Sequence, residues 1–229
     1  MDTTYELVKA TRGFLQGHLD DFRRIFELSV DDMYFQMQFI ICDEEQIDQE
    51  LEKLYINVIQ NFFMMEAPEN IAEWMNETVT QFTSDWLRTN RRDMLMAENR
   101  GAYAVPMVSE VYIPGNDMED MEFTKMLENF LCTLPEIHRQ TALAYYYNNL
   151  SMDKLVDILM LEASAVKRRT SYIEKNLILQ MEEFCKEHNY RTRSLNSQKI
   201  LMALVDLQKL YRFQRTESLY NSIRMKAIH

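Results

Sequence analysis

Glycine and proline are scarce, 4 of each in 229 residues, where average usage is about 7% and about 5%. An all-β sandwich needs turn residues every few positions, and a nucleotide-binding α/β fold needs glycine at its phosphate loop. Both are excluded. Cysteine is rarer still. Cys42, Cys132 and Cys185 are odd in number, far apart and without CxxC spacing, which predicts reduced thiols and neither a disulfide frame nor a metal site. No apolar run approaches the about 18 residues that would suggest a membrane span, and no signal-type stretch is visible, so a cytoplasmic protein with no membrane contact is expected. HExxH and Walker-type loops are missing, and His18, His138, His188 and His229 are scattered. No enzyme activity and no cofactor are expected.

What remains is a chain with 47% hydrophobic and 27% charged residues, enough apolar material for a core and patterned at helical spacing. An all-α fold of two small helical domains is expected. Charge divides along the chain. Residues 1–97 carry 8 Lys/Arg and 19 Asp/Glu, whereas residues 134–179 carry 6 and 5, and residues 180–229 carry 9 and 5. An acidic front and a mildly basic back point to units with different partners. Two glycines and two prolines fall between Gly101 and Gly115, marking a linker over 98–121. The expected units are 1–97, 122–184 and a helical C-terminal extension, 185–229.

In the first unit Phe22, Ile25, Phe26, Ser29, Met33, Phe35 and Met37 make one helical stripe, and Ile47, Leu51, Leu54, Tyr55, Val58 and Ile59 make the next. Carboxylates at Asp43, Glu44 and Glu45 suit the first turn of that second helix. Residues 61–70 read as a loop. A third helix over 71–89 carries Trp74, Met75, Val79, Phe82, Trp86 and Leu87 and ends in Arg88, Arg91 and Arg92. In the second unit a helix over 122–131 is followed by one from Leu134-Pro135 to Tyr147. Ser151 is a good N-cap for a short helix, 152–159. A turn at 160–162 and a basic helix over 164–184 complete a helix-turn-helix pattern.

The second unit resembles a bacterial RNA polymerase sigma factor of the extracytoplasmic-function type in the sigma-70 family. Leu134-Pro135-Glu136, the Tyr-rich 145–147, Leu150-Ser151 through Ile158-Leu159, and Val166-Lys167-Arg168-Arg169 through Leu177 fall in the family's order. Trp74-Met75, Asp85, Leu87 and Arg88, together with Ile47-Asp48-Gln49, Glu52 and Tyr55, resemble its first-domain helices. Departures are visible too. Val156 and Met160 stand where that helix-turn-helix has a small residue and a glycine, and Tyr172 replaces an arginine.

The resemblance implies core RNA polymerase and promoter DNA as partners, and admits a separate anti-sigma protein. It assigns Asp48, Gln49, Glu52 and Tyr55 to polymerase binding. Asn61, Phe62, Phe63, Trp74, Gln81, Arg88, Arg91 and Arg92 become candidates for capturing the melted −10 element, since unpaired bases need π-faces and cations. Ser164, Lys167, Arg168, Arg169, Tyr172 and Lys175 become the face that reads the −35 element, where Lys or Arg donates to guanine acceptors in the major groove. Ordinary structural roles stay open beside each assignment: core packing for Trp74, Phe82 and Trp86, a solvated basic face for 164–175, and solubilising charge for the acidic helix. In the tail, Ile200, Leu204, Leu207 and Tyr211 form an apolar stripe that fits packing on the second domain or binding of a partner. Two other functional classes also remain, a helix-turn-helix regulator acting without polymerase and a degenerate sigma-like adaptor.

Overall fold

The computed structural model describes residues 3–65, 67–97, 118–188 and 197–227, with backbone alone for residues 44, 91–97 and 118–120. Among the described residues the chain is all-α, with ten α-helices and no strand. Of the expected linker, residues 98–117 lie outside the described residues, and 118–121 already belong to a helix. The chain forms two compact units whose boundaries differ from the expected ones. The first takes in residues up to Phe82 together with those from Arg212 onward, and the second runs from Thr83 to Tyr211.

The first unit is built on α1 (Thr3–Leu15), α2 (Asp21–Ile41), α3 (Glu44–Asn61) and the opening turns of α4 (Ile71–Ala97). Cys42 closes α2 in the left-handed region, φ 58 and ψ 10, and turns the chain back on itself. Asp43 then caps α3, its Oδ1 accepting from the backbone N–H of Glu45 at 3.0 Å and Gln46 at 3.1 Å, a cap worth about 1 kcal/mol. The apolar stripe of α3 (Ile47, Leu51, Leu54, Tyr55 and Val58) is buried, as are Phe22, Ile25 and Phe26 of α2. The Tyr55 ring lies edge-on to Phe26 with centroids 4.8 Å apart. The unit is completed from the far end of the sequence. Helix α10 (Thr216–Ala227) packs on α2 and α3, burying Leu219, Tyr220 and Ile223.

In the second unit α5 (Met118–Thr133) leads to α6 (Glu136–Ala142), which widens into a π turn over Leu143–Tyr147. Asn148 N–H bonds the Leu143 carbonyl at 2.9 Å to end it. Then come α7 (Met152–Leu159), α8 (Ala163–Glu187) and α9 (Ser197–Gln208). Ala144, Leu150, Leu155, Leu159 and Val166 form a core cluster binding α7 to α8. The expected single extension 185–229 is thus divided between the units. Its stripe Ile200, Leu204 and Leu207 is buried in α9, which packs on α5, and Tyr211 donates a hydrogen bond to Glu128 at 2.6 Å.

Candidate functional site

Helix α7 is short, and its geometry is set at both ends. Ser151 Oγ accepts from Lys154 N–H at 3.3 Å. At the other end Met160 sits at φ 50, ψ 47, with its N–H bonded to Asp157 O at 3.3 Å and Leu161 N–H to Val156 O at 3.2 Å. These paired bonds are a Schellman closure, for which glycine is the usual left-handed residue. Met160 is 69% exposed, so it takes the strained conformation without a packing reward. The turn lasts three residues, and α8 begins at Ala163.

Along the first turns of α8, Val166 and Ile173 face inward while Ser164, Lys167, Arg168, Tyr172 and Lys175 are exposed. Arg169 is half-buried. Its charge and, more strongly, burial hold the His138 imidazole below its ordinary value, so His138 is neutral near pH 7. The His138 and Tyr172 rings pack with centroids 4.6 Å apart, fixing Tyr172 at the edge of the exposed face. The arrangement offers hydroxyl, phenol and cationic donors at one helix end, within reach of a groove.

The segment after α3 separates two neighbouring phenylalanines. Phe62 is buried, edge-on to Phe14 at 5.0 Å and to Trp74 at 5.7 Å. Phe63 is 78% exposed and is followed by exposed Met64. Sequence placed both rings among the base-capturing residues. Phe62 is instead a core residue, because the 3-10 turn Phe62–Met64 rotates it inward. Trp74 and Gln81 are half-buried, and Asn61 donates to the Asn57 carbonyl at 2.9 Å. Arg88 is exposed and paired with Asp85 on its own helix. The side chains of Arg91 and Arg92 lie outside the described residues.

On α3 the four expected polymerase residues part company. Gln49 is exposed. Tyr55 is 0% exposed and makes no surface, which corrects its assignment. Ser29 Oγ donates to the Ile25 carbonyl at 2.7 Å, so at 2.8 Å the Tyr55 hydroxyl donates to Ser29. Burial holds that hydroxyl neutral, far above its usual titration range.

Asp48 and Glu52 are half-buried under the C-terminal segment. Asp48 is held by both arms of the Arg215 guanidinium, with Nη2 at 2.8 Å from Oδ1 and Nε on Oδ2. Glu52 Oε1 accepts from Ser222 Oγ at 2.6 Å and from Lys226 Nζ. Burial alone raises the Glu52 carboxyl, but the bonds from Lys226 and Ser222 outweigh it and hold the group below the usual carboxylate range. Sequence reasoning missed this cover. Its signal was present in Leu219, Tyr220 and Ile223 at helical spacing, with Arg224 and Lys226 in the last turn.

Among the described residues the fold is all-α in two units, the second presenting a helix-turn-helix with an exposed basic face at the start of α8. The chain is similar to the ECF RNA polymerase sigma factor SigW of Bacillus subtilis (strain 168), 24% identical over 162 residues that cover 67% of this chain and 85% of that protein. This distant similarity supports a sigma-factor role at the level of the family. No model of a protein family matches the chain. Among the described residues no helix is long and apolar enough to cross a membrane, and no group of His, Cys, Asp or Glu is placed to hold a metal ion.

Proposed function

We propose that this chain is a promoter-specificity subunit that docks on core RNA polymerase through the acidic face of α3 and reads the −35 element through the start of α8. The observation that carries the reading is the exposed set Ser164, Lys167, Arg168, Tyr172 and Lys175 beyond a properly closed helix-turn-helix. The distant similarity to a sigma factor points the same way. Arg168 is the base-reading candidate, a contact worth about 1–3 kcal/mol of discrimination, with Arg169 and Lys175 on phosphates. In the first unit Phe63 is the exposed π-face for an unpaired −10 base. The acidic character of 1–97 opposes duplex binding by the isolated protein and favours a basic partner. An anti-sigma protein fits the same reading as a further partner.

Run-off transcription with core polymerase tests it. Promoter-dependent transcripts are expected, with Arg168→Ala relaxing preference at the −35 element about tenfold. A DNA shift without polymerase and no transcripts would establish an ordinary regulator instead, and inactivity in both assays an adaptor.

A further inference from the structure

The two carboxylates on which the docking reading rests are the same two that the C-terminal segment occupies. Arg215 grips Asp48 with two nitrogens, and Ser222 and Lys226 converge on one oxygen of Glu52. The contact continues on both sides. Arg212 pairs with Asp31, whose other oxygen accepts from Phe213 N–H at 2.9 Å. Arg23 of α2 pairs with Glu217 and lies 5.3 Å from the centre of the Tyr220 ring. Between these pairs Leu219, Tyr220 and Ile223 are buried, Tyr220 against Phe22 and Phe26 at 6.4 Å and 5.6 Å.

The face under α10 is therefore acidic at its edges and apolar along its centre. Its complement is a cationic amphipathic segment, and residues 212–227 are one: they carry Arg212, Arg215, Arg224 and Lys226 against Glu217, whereas residues 1–97 carry 8 Lys/Arg against 19 Asp/Glu.

We propose that α10 is a built-in occupant of the polymerase-docking face, so that core polymerase binds this chain only by displacing it. The inference depends on the docking reading above. Two properties make α10 displaceable. Twelve residues are too few for a helix to persist alone in water, so release and unwinding occur together. Its ion pairs are half exposed, and such pairs hold weakly. The apparent affinity for polymerase is then the intrinsic affinity multiplied by the fraction of molecules with α10 released.

The test compares binding of core polymerase to the wild-type chain, to Arg215→Glu and to Arg224→Glu. Both variants make the same charge change, but Arg224 is exposed on the outer side of α10. Arg215→Glu places like charges against Asp48 and is expected to tighten association about tenfold, with Arg224→Glu leaving it within about twofold. A second measurement follows amide exchange in residues 219–227, whose protection is expected to fall when polymerase is added. If the wild type binds and Arg215→Glu binds no tighter, the masking inference is overturned while docking stands. If the wild type binds and α10 stays protected in the complex, masking is overturned and polymerase binding is moved off the α3 face. If none of the three proteins binds polymerase, the docking reading fails and masking fails with it.

Discussion

Removing the Tyr220 ring separates α10 from the rest of the first unit more directly than any charge change. The ring is 5% exposed, touches Phe22 and Phe26, and carries the Arg23 guanidinium on one face. Truncating a buried aromatic to alanine costs about 3–5 kcal/mol, and the cation–π contact adds about 0.5–1 kcal/mol. Relaxation of the exposed edge brings the expected loss for Tyr220→Ala to about 3–4 kcal/mol. At about 1.4 kcal/mol per tenfold, amides of residues 219–227 should exchange about 100- to 1,000-fold faster. Amides of α3 between Ile47 and Val58 should accelerate by less than about tenfold, since the Phe22–Phe26–Tyr55 cluster keeps its own contacts. Native-state hydrogen exchange resolves the two regions in one experiment. Equal acceleration of α10, α2 and α3 would show that they open only as one block, and a detachable α10 would be refuted.

Two further outcomes concern the second unit. A left-handed backbone costs an ordinary residue about 1–2 kcal/mol and a β-branched one more. Met160→Gly should therefore be more stable than Met160→Val by about 1–2 kcal/mol after glycine's greater unfolded-state freedom is subtracted, as read by urea denaturation; equal stabilities would refute the Schellman closure. His138 is held below its ordinary value of 6.5, so the unfolded chain binds its proton first. Its contribution is complete above about pH 6.5 and is lost as pH falls toward the folded value, a slope that His138→Phe should remove from the difference in unfolding free energy between pH 7.5 and pH 5.5.

Helix positions were legible wherever a local stripe announced them. Ile47, Leu51, Leu54 and Val58 recur at helical spacing and are buried, and Ser151 caps the helix it precedes. Phe62 and Phe63 show the limit. Adjacent identical residues differ only in which way a 3-10 turn points them, and periodicity does not encode that. Tyr55 failed for another reason. The apolar stripe of α3 already contained it, and only the family resemblance set it among the polymerase-binding residues, whereas Ser29 of α2 and the aromatic rings around it make it core. Met160 illustrates a reverse case. The departure from glycine was visible, yet the backbone still adopts the glycine-like conformation, because the core residues Leu155, Leu159 and Val166 over-determine the turn.

Residues 212–227 were unreadable because their partners lie more than 150 positions away, at Asp31, Asp48 and Glu52. Local patterning predicts that Leu219, Tyr220 and Ile223 need cover, but not where they find it. Charge narrows the choice: residues 1–82 carry 5 Lys/Arg against 17 Asp/Glu, whereas residues 83–211 carry 16 against 18, so a cationic segment settles more favourably on the first unit. The ion pairs then set register, one cation per carboxylate, and the buried Tyr220 supplies most of the adhesion. A competing partner must satisfy both conditions together. If the face docks a partner as proposed, a flexible polycation would meet the carboxylates and leave Phe22 and Phe26 wet. A basic helix with an apolar stripe would meet both, so the face would favour a structured partner over simple positive charge.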